Sequence, residues 1–295
     1  MRRLAIALSV LVTAAAAPSA LAQLPSPKTV DLGGGIHVIM GQGGNIGVSA
    51  GPDGVFVIDD QYPNSAPANL AKIKEIAGAG PRYLVNTHWH GDHAGGNAAF
   101  AEAGAMIFAH VNVLKRLSGE VKSIGLNGQP APASPEAAWP VVTFTEGVDF
   151  HLNDETIKVA KVPSSHTDGD SVIRFVEPNI IHTGDIFFNG IFPVIDLGSG
   201  GSVKGYLAAM ETIWASADDK TRIIPGHGDM ATKADLRKQI DMLTGAIAAV
   251  EKHVKAGDSL QKTLAAKPLK PWSKWAWSFI SEDSFTTTLY NGLKQ

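Results

Sequence analysis

Short apolar runs separated by glycine dominate the first third of the chain. Ile36–Met40, Ile46–Ala50 and Val55–Ile58 are rich in β-branched residues and read as a meander of strands. The Pro-rich stretch Gln23–Thr29 before them reads as extended. The period then changes. Leu70, Ile73 and Ile76 recur at helical spacing within Ser65–Ala77, and Gly78 stops that helix. Tyr83–Val85 is another buried strand. Met106–Ala109 is a strand between two short helices, Asn97–Ala103 and Val111–Leu117.

Ser118–Pro140 breaks the pattern. It holds four prolines and no clear periodicity, so it reads as a long loop, of the kind that often covers an active site. Strand patterns return at Val141–Phe144, Val148–Leu152, Thr156–Val162, Ser171–Val176 and Asn179–His182. Helix Val203–Trp214, strand Thr221–Ile224 and a long helix over Thr232–Lys255 follow. Each half runs strands, then helix and strand. That order predicts an α/β fold with two sheets face to face and helices outside, an αβ/βα sandwich. Trp272, Trp275 and Trp277 fall within Lys267–Ile280, and the expectation is that they pack this terminal segment onto the core.

Composition adds three constraints. Arg2 and Arg3 precede an apolar stretch, Leu4–Ala17, and Ala20-Leu21-Ala22 is a small-x-small cleavage pattern. This order reads as a secretory signal cut after Ala22, leaving residues 23–295 as a single domain in the periplasm or outside the cell. No later run is apolar enough for a membrane span. The chain has 295 residues, no cysteine and a formal net charge of −3. A nucleic-acid partner would call for a basic patch, so a small-molecule substrate is expected instead. Without cysteine there are no disulfides, and any metal must be held by nitrogen and oxygen.

The candidate chemistry is concentrated in Thr87–His93, T-H-W-H-G-D-H, directly after the strand Tyr83–Val85. Three imidazoles and a carboxylate within seven residues are metal-ligand types. On irregular backbone eased by Gly91, His88 and His90 can point one way while Asp92 and His93 point another, which suits two metals. Three further ligand-type residues follow strands and sit among glycines or polar turn residues. They are His166 in S-S-H-T-D-G-D, Asp185 in H-T-G-D and His227 in P-G-H-G.

Together and in this order, these motifs resemble the metallo-β-lactamase superfamily over nearly all of residues 23–295. The resemblance implies its four-layer αβ/βα sandwich. It implies two zinc ions, one on His88, His90 and His166, the other on Asp92, His93 and His227, with Asp185 bridging. Iron or manganese also suit such ligands. It makes Asp92 and Asp185 the carboxylates nearest the chemistry, and Asp59 a carboxylate that orients a ligand imidazole. The activity implied is hydrolysis by a metal-bound hydroxide of an ester, lactone, thioester or amide, β-lactams included. No serine nucleophile is needed, so Ser164 and Ser165 read as turn residues.

Two positions depart from the lactamase pattern. Asp185 stands where the cysteine-ligand lactamases have cysteine, and Phe188 where a substrate-binding lysine is usual. Asp185 with His93 matches the glyoxalase II-like and lactonase-like ligand set instead. Trp89, Phe187, Phe188 and Phe192 are then expected to line an apolar pocket. The alternative function is an iron-dependent redox or oxygen-handling protein on the same fold. Against it, such proteins usually carry a carboxylate where His90 stands, and no length remains for a flavin domain.

Overall fold

The computed structural model describes residues 26–125 and 128–294. The proposed signal segment and its cleavage point lie outside the described residues.

Strands β1 (Lys28–Asp31), β2 (Ile36–Met40), β3 (Ile46–Gly51) and β4 (Gly54–Ile58) form an antiparallel meander. Helix α1 (Ala66–Ala77) then crosses to β5 (Pro81–Val85), which pairs parallel with β4. Two short helices, α2 (Gly91–Ala94) and α3 (Asn97–Glu102), lead to β6 (Met106–His110), parallel to β5. Helix α4 (Val111–Leu117) opens the Pro-rich segment. That segment is not wholly irregular: β7 (Ser123–Ile124) and β8 (Pro130–Ala131) pair as a small ribbon, followed by a 3-10 turn at Glu136–Ala138. Strand β9 (Val142–Phe144) closes the first sheet, in the order β1-β2-β3-β4-β5-β6-β9.

The second sheet is built from β10 (Gly147–Leu152), β11 (Glu155–Lys161), β12 (Ser171–Phe175), β13 (Ile180–His182), β14 (Arg222–Ile224) and β15 (Ala231–Thr232), in sequence order. Helix α5 (Val203–Ser216) makes the crossover between parallel β13 and β14. The long α6 (Lys233–Lys255) starts at a capping box in which Thr232 and Asp235 satisfy each other's backbone amides. The terminal helices are α7 (Leu260–Ala265) and α8 (Glu282–Leu293). Among the described residues, no helix is long and apolar enough to cross a membrane.

Side-chain alternation explains why both sheets have continuous apolar strands. Phe56 and Ile58 join Phe150, Ile173, Phe175 and Ile224 between the sheets. Their neighbours Val55 and Val57 face the other way, onto Ala66, Ile73 and Phe100 of α1 and α3. In the second sheet Ile180 lies inside the sandwich. Ile181 packs outward with Tyr206, Met210, Leu243 and Phe285 from α5, α6 and α8. The result is helices, sheet, sheet, helices. Each fully buried Ile, Val or Phe contributes about 1.5–3 kcal/mol relative to exposure, so the four layers are held chiefly by these three clusters.

This architecture places the site. Strands β4, β5, β13 and β14 run in parallel pairs, and the residues just past their C-terminal ends carry Asp59, His88–His93, Asp185 and His227. Open parallel strands usually present ligand sites at that edge.

Candidate metal centre

Asp59 follows β4 directly and is fully buried, in the left-handed region at φ 61°. A buried non-glycine residue there is strained, and such strain gathers at functional sites. The strained turn aims both carboxylate oxygens at the next loop. Oδ1 accepts from Thr87 N at 2.7 Å, and Oδ2 accepts from Thr87 Oγ1 at 2.8 Å and faces His93 Nδ1 at 2.7 Å. After Thr87 the chain bends through His88, then enters α2 with His90, extended, at its N-cap. Asp92 and His93 therefore sit on one helical turn rather than on the irregular loop expected. Gly91 has open space around a built Cβ, so it is not what makes the turn possible.

The glycines that matter are elsewhere. A Cβ on Gly44 would overlap the His93 ring, and one on Gly226 would overlap Asp185 Oδ1. The β2–β3 turn is clamped to the His227 loop through Asn45, whose Nδ2 donates to Pro225 O and Gly228 O, each at 2.9 Å. His182 bonds Asn45 O through Nε2 at 2.9 Å and accepts from Gly184 N through its other ring nitrogen. It supports the turn that carries Asp185 and lies outside the ligand groups. Tyr206 of α5 donates to Asp185 O at 2.9 Å from the other side.

All seven residues predicted as ligands come together. They form two groups able to hold a metal: His88, His90, His166 and Asp185, and Asp92, His93 and His227. In the first, His90 Nδ1 lies 3.1 Å from His88 Nε2 and 2.8 Å from His166 Nε2. In the second, His227 Nε2 lies 3.3 Å from His93 Nε2 and 3.2 Å from Asp92 Oδ2. Asp185 stands between them. Its Oδ2 faces His88 and His166 at 3.9 and 3.5 Å, while its Oδ1 faces His93 and His227 at 2.9 and 3.4 Å.

The residues fit metal ions. Asp185 Oδ1 is buried and faces the ring nitrogens of His93 and His227, whose protons a metal would replace. A desolvated carboxylate oxygen is costly unless something compensates it. Four imidazoles also have their outward nitrogens engaged, which leaves the inward nitrogens as the ones a metal would take. His93 Nδ1 is held by Asp59. His88 Nδ1 bonds Thr87 Oγ1 at 3.0 Å, and Thr87 donates on to Asp59. His166 Nδ1 bonds Val194 O at 2.8 Å. His90 Nε2 bonds Asp196 Oδ2 at 3.0 Å. Asp196 escaped the sequence reading. It stands 106 positions from His90 in an unremarked V-I-D-L-G stretch, and no motif marks it.

Electrostatics separate the groups. Burial, reinforced by the neighbouring imidazoles, holds His88 well below its ordinary value. Burial also lowers His166, despite Asp185. In the second group burial acts downward too, but Asp185, Asp92 and Asp59 outweigh it and raise His93 well above its ordinary value. For His227 burial is likewise outweighed, by Asp185 and Asp92, which raise it to about 9. Burial would raise Asp92, yet His93 and His227 bring it down to about 2.

The aromatic lining differs from expectation. Phe187 and Phe192 are core residues. Phe188 does line the cavity over the metal groups and stacks on His227, with centroids 4.8 Å apart. Trp89 lines the cavity beside it. The Trp-rich segment packs on the core as expected, but it also reaches the site: Trp277 and Phe279 line the cavity over the metal groups. Trp277 Nε1 donates to Phe192 O at 3.0 Å, which fixes the segment there.

The family described as the metallo-beta-lactamase superfamily matches residues 40–227, more than half of the chain. An acyl-coenzyme A thioesterase, MBLAC2, of Gallus gallus is 28% identical over 168 residues, covering 52% of this chain and 59% of that protein. A hydroxyacylglutathione hydrolase of Erythrobacter litoralis is 33% identical over 107 residues, covering 36% of this chain and 34% of that protein. The chain thus spans less than two thirds of the curated relatives it matches. A metallo-beta-lactamase from Pontibacter korlensis shares the fold at a TM-score of 0.61 and 17% identity, covering 74% of this chain and 99% of that one. On the family match across residues 40–227, the chain belongs to the metallo-beta-lactamase superfamily.

Proposed function

We propose that this protein is an exported, dinuclear zinc hydrolase acting on the carbonyl of a small ester, lactone, thioester or amide. The observation that carries the proposal is Asp185, whose two carboxylate oxygens face two separate ligand groups. In this reading His88, His90 and His166 hold one zinc, Asp92, His93 and His227 hold the other, and Asp185 bridges. When bound, the ions would lower the pKa of a shared water towards roughly 7 and polarise the scissile carbonyl.

The chain's own residues do the rest. Asp59, Asp196, Thr87 and the Val194 carbonyl hold the imidazoles in the tautomer that points a lone pair inward. Asp92, ionised down to about pH 2, keeps its carboxylate available to hold the second zinc at neutral pH. Phe188, Trp277 and Phe279 exclude water from one wall of the cleft. The thioester branch of the proposal is supported by the two hydrolases of thioester type among the relatives. β-Lactams are the weakest branch, because Phe188 offers no charge to a substrate carboxylate.

The test is elemental analysis of the purified protein alongside hydrolysis of a simple lactone, a thioester and a chromogenic cephalosporin. Two zinc per chain with lactone or thioester turnover is expected. Iron with no cleavage of any of the three would overturn the proposal. Export rests on the order of residues 1–22, and N-terminal sequencing of the periplasmic or secreted protein should begin at Gln23.

A further inference from the structure

Two cavities adjoin the one over the metal groups. The first, about 450 Å³, is lined by Leu117, Gly125, Ala131 and Ser134 and shares Tyr62, His90, Asp92 and Phe279 with the metal cavity. The second, about 440 Å³, lies against α8 and shares Val194 and Phe279 with it. Phe279 lines all three. Its ring is half-exposed and packs 5.6 Å from Trp277, so it forms a wall between the cavities.

The chemistry of the first cavity is specific. Away from the metal groups its apolar lining is Trp89, Ala94, Leu117, Ala131, Pro132 and Phe279, beside Arg116, Ser134 and glycine backbone. Arg116 is the cation in its lining, and it is already engaged. Its Nε and Nη2 bond the two oxygens of Asp168 at 2.9 and 2.6 Å, and its Nη1 bonds Ser123 Oγ at 3.1 Å. A bidentate carboxylate neutralises the guanidinium and occupies its fork. Beyond the metal groups an anionic arm would meet no unengaged cation among the described residues of this lining, and a polar arm would find only Ser134 and the unpartnered Trp89 Nε1 to replace its hydrogen bonds to water. An uncharged chain has neither cost, and each methylene it buries gains roughly three- to fourfold in affinity.

We propose that this cavity binds an uncharged alkyl or acyl chain of the substrate, with the scissile carbonyl held at the metal groups and Phe279 setting the chain length. The proposal rests on the hydrolase reading above and names the substrate class for the same site. The carbonyl end lies by His90 and Asp92, and the chain runs from there towards Leu117 and Ala131.

The test compares p-nitrophenyl butanoate, octanoate and the octanoate analogue bearing a terminal carboxylate, in the zinc-loaded protein. Octanoate should exceed butanoate in kcat/KM by about tenfold or more, mostly through KM, and the terminal carboxylate should abolish that advantage. Ala131→Trp fills the cavity and should cut the octanoate advantage to less than about twofold while butanoate turnover holds. Phe279→Ala opens the wall and should move the optimum to longer chains, so the test survives if Ala131→Trp fails to fold. A length profile unchanged in the folded variants, or no loss from the terminal carboxylate, overturns the proposal. If no ester is cleaved, the hydrolase reading fails separately. The cavity is then read by titrating 1-octanol against tryptophan fluorescence: tighter binding to the unaltered protein than to Ala131→Trp supports it, and equal binding overturns it.

Discussion

The two ligand groups share one carboxylate yet are prepared in opposite ways. The His88, His90 and His166 group is fully buried and dominated by imidazoles. Burial and mutual repulsion hold His88 and His166 low, so their lone pairs are free at neutral pH. The Asp92, His93 and His227 group is more open, and its side chains at Asp92 and His227 remain 19% and 17% exposed. There the carboxylates win, and His93 and His227 hold their protons. A metal entering the first group meets His88 and His166 already deprotonated. A metal entering the second must displace protons. Exchanging one imidazole for a carboxylate thus separates a site ready for a cation from one that trades protons for it.

The largest effect should come from breaking the first group. His90→Ala should lower hydrolysis by more than the roughly 100-fold typical of an outer-lying support residue, with the fold intact by circular dichroism. Full activity in that variant would remove His90 from the site. Asp185→Asn attacks what the groups share. It should reduce bound metal towards one per chain and slow turnover strongly, and unchanged metal content and rate would show that Asp185 does not bridge.

The supports give a finer contrast. Asp196→Asn should weaken metal binding about 10- to 100-fold, and only in the His90 group. Asp59→Asn should weaken both groups, because Asp59 holds His93 directly and His88 through Thr87. Equal patterns of loss in the two variants would contradict this partition.

The smallest effect is on pH dependence, and its sign is definite. The folded-state value of His227 is raised, to about 9. Its stabilising contribution to the metal-free protein is complete below the unfolded value near 6.5 and is lost as pH climbs through about 9. Metal-free protein should therefore melt at lower temperature as pH rises across that window, and zinc should reverse the trend. Calorimetry in buffers of differing ionisation enthalpy should register proton release for the second zinc near pH 7.5 and little for the first. Equal release at both steps would erase the distinction between the groups.

Much of the fold and the ligand set was legible in the chain. Strand patterns such as Val55–Ile58 and Asn179–His182 survive nearly unchanged, because strands buried on both faces leave a continuous apolar record. The Thr232–Lys255 helix was equally plain, and the structure adds its capping box. The terminal helix Glu282–Leu293 was not picked out, and the β7–β8 ribbon lies in a stretch that reads only as loop. Its strands are two residues each, too short for any period to register.

The sequence by itself determined the ligand types. The crowding of His88, His90, Asp92 and His93 after one strand, and the glycine-flanked Asp185 and His227, are local features that survive without coordinates. Only the tertiary structure decided what surrounds them. Asp196 reaches His90 across 106 positions, Asn45 clamps the His227 loop across 180 and 183, and Phe279 lines the cleft from the far end of the chain. Such contacts are set by how the sheets stack and where their edges meet. A hydrogen bond depends on distance and angle in space, and neither is written in the order of residues along the chain.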